Sequence, residues 1–318
     1  MTSDKVALVI GASRGIGRQI AVDLAKNGYA VIVSAKSTSV HASTPHHPSS
    51  FPPDPNSPHS TISTVCREIL EQGGTATAIP CDVRDHSSIS SLVAQAISTH
   101  GRIDVLIYNA GAIYHSSVLT TPLSRYMLME SVNPHGLYAS LQSCIPHWKQ
   151  QGWHARILVI CPPIYSRFFR GKTAYAMGKV GMSVLVQGLG MDFARMGDEG
   201  KGMAVTGLWP ATAIESAATV HFSSPAEDLR HPSIFSDAVV SILKAPPEDV
   251  NGLLTVDEDY LRDHDGVKDF SKYALVPGTT PRRIMPAKFP DLRVEEQDDE
   301  GTKMDSAKRE KNGKLSKL

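Results

Sequence analysis

The sequence predicts an α/β fold, a doubly wound parallel sheet with helices on both faces, and three observations predict it. From Lys5 to about Pro290, short apolar runs rich in Val and Ile alternate with longer segments of helical periodicity. The runs are continuous and not alternating, as in strands buried on both faces. Glycines cluster directly after the first run, where a helix begins.

In chain order, VALVI (6–10) reads as the first strand and RGIGRQIAVDLAKNG (14–28) as the helix behind it. AVIVS (30–34) and ATAIP (76–80) follow as strands, then a helix over SSISSLVAQAISTHG (87–101). DVLIY (104–108), RILVI (156–160) and MAVTGLW (203–209) are the later strands, with a long helix over residues 173–196 between the last two. Strand and helix in alternation imply parallel pairing with crossover helices. Two segments break the pattern. Residues 37–60 are rich in Pro, Ser and His and are expected to be a disordered loop without metal-ligand spacing,. Residues 292–318 are expected to be a disordered charged tail, leaving 1–291 as a single domain,.

Composition narrows the function classes. In 318 residues, 32 basic side chains balance 32 acidic ones, so no electrostatic case exists for nucleic acid or an anionic membrane,. The four cysteines, Cys66, Cys81, Cys144 and Cys161, are scattered and read as free thiols in a reducing compartment,. No signal-like start and no apolar stretch of membrane-spanning length is found, so the expectation is a soluble intracellular protein. The last residues, Ser316, Lys317 and Leu318, spell a peroxisomal import address on a polar tail, and predict a peroxisomal location and an import receptor as partner,.

Gly11, Ser13, Arg14, Gly15, Ile16 and Gly17 form a glycine-rich loop between strand and helix. Such a loop lets backbone approach a pyrophosphate, whose charge then sits at a helix N-terminus, so the fold reads as Rossmann-like. The end of the second strand, Ser34-Ala35-Lys36, has no carboxylate for a ribose 2′-hydroxyl. Lys36 and Arg14 instead suit the extra phosphate of NADP, which is favoured over NAD; the plainer alternative is that Lys36 only solvates a loop. Asp82 and Val83 after the third strand, and Asn109, Ala110 and Gly111 after the fourth, stand at successive strand ends where one extended ligand would cross the sheet,.

Tyr175 and Lys179 are four apart and share a helix face,. With GASRGIG, NAG and Y-x-x-x-K in order, the chain resembles the short-chain dehydrogenase/reductase family over roughly residues 5–260. CPP (161–163), the YAMGK helix and LWPATAIESAA (208–218) look like its hydroxysteroid dehydrogenase-like branch, whose longer members carry a sterol-carrier domain not expected here. The resemblance implies Tyr175 as general acid or base, Lys179 as its pKa-lowering partner and ribose ligand, and Asn133 as part of a proton relay. The alternative reading of Asn133, before Pro134, is a turn cap. Pro210 and Thr212 take the places of nicotinamide contacts. The family's serine, thirteen residues before the tyrosine, is here Pro162; Cys161 and Ser166 are the candidate replacements. The resemblance implies that the glycine-rich helix, with Gly178, Gly181, Gly188 and Gly190, packs against its twin in a homodimer or homotetramer; the alternative is tight packing on its own sheet.

The function expected is NADP-dependent hydride transfer involving a ketone or secondary alcohol, lipid-like because Tyr114, Tyr165, Phe168 and Phe169 lie in the pocket segments,. The alternatives are a cofactor-binding protein with little or no turnover, for which Pro162 argues, and a lipid-handling scaffold.

Overall fold

The computed structural model describes residues 5–38 and 60–294. The chain divides into two compact units, residues 1–287 and 288–318. All helices and strands named below belong to the first. Most of the loop expected over 37–60 lies outside the described residues, as does the tail from residue 295 with its Ser-Lys-Leu end.

The apolar runs become strands β1 (Val6–Ile10), β2 (Ala30–Ala35), β3 (Thr75–Pro80), β4 (Val105–Tyr108), β5 (Ala155–Ile160) and β6 (Met203–Trp209). A seventh, β7 (Leu254–Val256), is absent from the sequence reading; it is three residues long, too short to show a pattern,. Among the described residues the strands pair in parallel in the order β3-β2-β1-β4-β5-β6-β7. β1 is fully buried, whereas β3, at the sheet edge, is mostly half-exposed, so burial on both faces holds for the centre and not for this edge,.

Helices α1 (Gly15–Lys26), α2 (Ile62–Glu71), α3 (His86–His100), α4 (Leu123–Glu130), α5 (Gly136–Gln150), α6 (Thr173–Arg195), α7 (Ala217–His221), α8 (Ser233–Lys244), α9 (Pro247–Val250) and α10 (Asp257–Asp265) complete the fold. Two apolar cores lie on opposite faces of the sheet. One joins the strand residues Ala7, Val9 and Val33 to Ile20, Leu24, Phe235 and Val239 of α1 and α8. The other joins Leu8, Ile32 and Ile157 to Leu92, Leu141, Trp148 and Val186 of α3, α5 and α6. Burying an aliphatic side chain of this size is worth about 1.5–3 kcal/mol, so successive residues of a central strand stabilise opposite layers. A buried ion pair also ties α1 to α2: Arg18 Nε and Nη2 donate to Glu68 Oε2 and Oε1 at 2.9 and 2.6 Å.

Strand order reverses between β1 and β4, the neighbours whose carboxyl ends leave a crevice between diverging connections,. The glycine loop, the β4 end and the β6 end all open on this side.

Candidate active site

A cleft of about 520 Å³ runs along the strand ends. It is lined by Gly11, Ser13, Arg14, Gly15 and Ile16, by Lys36, by Asp82 and Val83, and by Asn109, Ala110 and Gly111. Residues chosen from four separate motifs are thus brought to one surface. Three further lining residues, Ser216, Ala217 and Ala218, come from the start of α7, and Arg84 from the loop after β3. The first three end the stretch LWPATAIESAA, which carried the resemblance without being assigned to the site, and one arginine in a loop has no spacing signal.

The loop geometry explains its glycines. Gly11 has φ +90°, a left-handed conformation, and a Cβ there would stand 2.5 Å from Ala110 N,. A Cβ on Gly17 would lie 2.1 Å from the Gly11 carbonyl oxygen and 2.5 Å from Asn109 Nδ2. That space lets Asn109 Nδ2 donate to the Gly11 carbonyl at 2.8 Å, fastening the β4 end to the loop. Ser60 Oγ donates to the Ser13 carbonyl at 2.6 Å and holds the other side.

Asp82 is not an open acceptor. Arg84 Nε donates to its Oδ1 at 2.9 Å and the Arg84 backbone N–H reaches the same oxygen at 3.1 Å. These bonds, with Lys36 nearby, hold the Asp82 carboxyl down to about 2. An adenine amino group would have to share this carboxylate with Arg84.

Tyr175 and Lys179 lie in the first turns of α6, both buried. Lys179 Nζ donates to the Ile160 carbonyl at 2.9 Å, and sits 5.5 Å from the centre of the Trp209 ring. A Cβ built on Gly111 would fall 3.5 Å from Lys179 Nζ and 3.6 Å from Asn133 Oδ1, so the cleft wall abuts the lysine directly. Burial pushes the Lys179 ammonium down to about 8 and the Tyr175 phenol well above its ordinary value. In the protein by itself desolvation dominates, and the phenol keeps its proton,.

Asn133 sits in a π-helical turn, Ser131–His135, that contains Pro134. Such turns arise where an extra residue disturbs the helical ladder, often at functional positions. Asn133 Oδ1 accepts from Ala112 N at 2.9 Å and Nδ2 donates to the Ala112 carbonyl at 3.0 Å. Its side chain positions the chain after Gly111, beyond a mere turn cap.

The donor replacing the usual serine is not found where it was sought. Cys161 is fully buried, and a Cβ on Gly207 would lie 2.7 Å from its sulfur, so the thiol faces the sheet core. Burial pushes it up to about 12. Ser166 is exposed at the start of a 3₁₀ turn, Ser166–Phe169. Pro162 uses its carbonyl, which accepts from Ser183 Oγ at 2.7 Å.

Around Tyr175 stands an aromatic cluster. Phe168, Tyr165, Tyr114, Tyr126 and Trp209 pack with it, whereas Phe169 is 37% exposed and outside the group. His115 meets the Tyr175 ring edge-on with centroids 4.9 Å apart and stacks on Phe222 at 4.7 Å. Burial, with the charge of Lys172, holds the imidazole down to about 4, so it is neutral near pH 7. A lone His and a lone Phe in loops give no sequence signal, and neither His115 nor Phe222 stands out there.

Thr212 and Pro210 follow β6. Thr212 Oγ1 is buried and without a hydrogen-bond partner among the described residues. Asp257, also buried, accepts from Ala211 N at 2.8 Å and Glu258 N at 2.7 Å, and fixes this loop from behind. Ile284 N and Met285 N donate to the Ala211 carbonyl at 2.8 and 3.1 Å, and Tyr165 Oη reaches Met285 Sδ at 3.3 Å. The glycine cradle fits a dinucleotide, and Lys179 lies behind Gly111 of the cleft wall, whereas Tyr175, Pro210 and Thr212 are not among the residues that line this cleft. Among the described residues no cluster of ligands could hold a metal, and no helix is long and apolar enough to cross a membrane.

Comparison with known proteins gives a consistent picture. Residues 5–48 and 57–218 match the family model of the short chain dehydrogenases. The chain is 37% identical over 275 residues to hydroxysteroid dehydrogenase-like protein 2 of Xenopus tropicalis, covering 85% of this chain and 60% of the relative. It thus spans less than two thirds of that relative's length. A short chain dehydrogenase crystal structure from Mycobacterium thermoresistibile superposes with a TM-score of 0.74 at 32% identity, covering 95% of this chain and 99% of the other. A metagenomic short-chain oxidoreductase solved with NADP superposes with a TM-score of 0.61, covering 80% and 97%, and at 22% identity shows the shared fold alone.

Proposed function

The chain belongs to the short-chain dehydrogenase family, and from that premise we propose that it catalyses NADP-dependent exchange of hydride with a ketone or secondary alcohol in apolar surroundings. The observation that carries the proposal is the junction at Gly111, which lines the nucleotide cleft and leaves room for no more than a Cβ before Lys179 Nζ. Arg14 and Lys36 at the cleft, with no acid at the end of β2, support the extra phosphate of NADP. A titration comparing NADPH with NADH tests that choice.

When bound, the nicotinamide supplies or accepts the hydride. Tyr175, whose phenol burial keeps protonated, holds a proton at Oη for a carbonyl oxygen,. Lys179 spends one N–H on Ile160 and keeps others for ribose hydroxyls; at about 8 it is poised to exchange protons near neutral pH,. Asn133 positions Ala112 and so the wall of the cleft. Thr212 offers its unpaired hydroxyl to a carboxamide. The aromatic cluster of Phe168, Tyr165 and Trp209 supports an apolar, lipid-like substrate.

Tyr175→Phe tests the assignment. Turnover of NADPH against a carbonyl panel should fall about 10²-fold or more, with NADPH affinity nearly unchanged. Wild-type activity in that variant would sink it. A second reading, a nucleotide-binding protein with little turnover, is favoured by Pro162 and by the inward-facing Cys161; NADPH binding with no wild-type turnover above background, as in Tyr175→Phe, would support it.

Self-association through α6 belongs to the same proposal. Met177, Val184 and Met191 are exposed there, and Gly188 meets open space, whereas Gly178 packs on Glu130 and Pro134, and Gly190 on Gly252. A change of mass on Val184→Glu in light scattering tests it. The proposed peroxisomal address is tested by imaging fluorescent fusions with and without residues 316–318.

A further inference from the structure

We propose that the mouth of the Tyr175 site recognises an anionic group on an otherwise apolar substrate, and that Lys172 is the residue that does so. This rests on the oxidoreductase reading and names the substrate class within it.

Lys172 precedes the first residue of α6, three positions before Tyr175. Its ammonium lies 4.2 Å from the centre of the Phe168 ring, and Phe168 lies 6.3 Å, centroid to centroid, from Tyr175. The same charge acts on His115, which touches Tyr175 from another side. Lys172 is thus in contact with one ring that borders the phenol and acts electrostatically on the other.

Nothing in the described protein neutralises it. Among the described residues no carboxylate pairs with Lys172, and its contact is the face of a phenyl ring. The first turn of α6 holds no acid, so the cation also opposes the positive end of a 23-residue helix,. It is half-buried, and desolvation lowers its pKa. A cation so placed costs stability in the empty protein, and an incoming anion would offset that cost.

The surroundings point the same way. Residues 112–129 and 161–191 contain no aspartate or glutamate, whereas Glu130 follows the first and the segment around Phe222 carries Glu215, Glu227 and Asp228. Arg125, Arg167 and Arg170 fall in the same segments. An aromatic cluster, a buried phenol and an ammonium without a carboxylate partner together describe a ketone or alcohol carrying a carboxylate or phosphate. A neutral sterol or simple alkyl ketone would leave Lys172 desolvated and unpaired.

The test uses the full chain with NADP⁺ present and cis-parinaric acid, a fluorescent fatty acid, as probe, alongside its methyl ester. Wild type should bind the acid about tenfold tighter than the ester. Lys172→Met should bind both equally, and Lys172→Arg should keep the preference, which controls for loss of folding. Displacement of the probe by dodecanoate and by dodecyl phosphate ranks carboxylate against phosphate. Equal binding of acid and ester by wild type, retained preference in Lys172→Met, or binding of neither probe overturns the proposal. The NADPH titration and the Tyr175→Phe comparison are separate measurements, so the substrate class can fail while the oxidoreductase reading stands.

Discussion

Lys179→Met should make the protein without nucleotide more stable at neutral pH while abolishing its function. Burial brings the ammonium from its ordinary 10.5 to about 8. The difference, 10.5 − 8, at about 1.4 kcal/mol for each unit, is roughly 3 kcal/mol spent on keeping the charge inside,. Against this, the Ile160 carbonyl loses its 2.9 Å donor, and an orphaned buried carbonyl costs about 1–3 kcal/mol. Methionine fills similar space, so the net gain should lie between about zero and 2 kcal/mol, with about 2–4 °C in Tm for each kcal/mol in a chain of this size. The pH dependence identifies the cause. Between pH 8 and 10.5 the folded wild type has released the Lys179 proton while the unfolded chain still holds it. Stability of the wild type therefore rises with pH across that window, and the variant's does not. From about pH 7 to about pH 9.5 the advantage of the variant should shrink by about 2 kcal/mol. Denaturant titrations of both proteins at the two pH values measure this. A variant less stable by more than about 1 kcal/mol at neutral pH, or a difference indifferent to pH, would refute the view that Lys179 is held at a cost for the sake of its site.

Two other substitutions probe the frame around the cleft. Gly17→Ala sets a Cβ 2.1 Å from the Gly11 carbonyl oxygen, so α1 and the loop must part; NADPH affinity by fluorescence titration should fall about tenfold or more. Arg18→Met strands Glu68 in the interior and should cost about 3–5 kcal/mol in urea unfolding, whereas the double change with Glu68→Leu should recover most of it.

How much could be read from sequence follows from which signals repeat. β1, β2 and β4 to β6 are visible because central parallel strands demand unbroken apolar residues, and the loop residues from Gly11 to Gly17, with Asn109, are visible because close backbone approaches demand small or bonding residues at fixed offsets. β7 is not, since three residues at the sheet edge carry no period. Asp257 stays hidden with it: its role depends on holding Ala211 across 46 residues of chain. His115 and Phe222 meet above Tyr175 from loops that share no register. The tyrosine's raised pKa is also illegible, because a motif shows that a lysine is near and does not show how completely both are desolvated.

The proline in the serine position yields the sharpest remaining prediction. Pro162 is tied to α6 through its carbonyl, by the 2.7 Å bond from Ser183 Oγ, and Ser183 also reaches the Lys179 carbonyl at 3.2 Å. The main chain, and not the pyrrolidine ring, thus sets the distance between the end of β5 and the helix bearing Tyr175. Pro162→Ser keeps that bond, adds a hydroxyl, and loses only the restraint of the ring, about 0.4–1 kcal/mol acting through the unfolded chain. If a missing donor limits the chemistry, the serine should raise kcat, by up to about 10²-fold, with KM changed far less, because a bond to the developing charge strengthens in the transition state. An unchanged kcat in a folded variant that binds NADPH would mean that the donor is already present. His115, neutral and against the Tyr175 ring, is the polar side chain placed to be that donor, and His115→Ala in the same assay would then show the loss that Pro162→Ser failed to reverse.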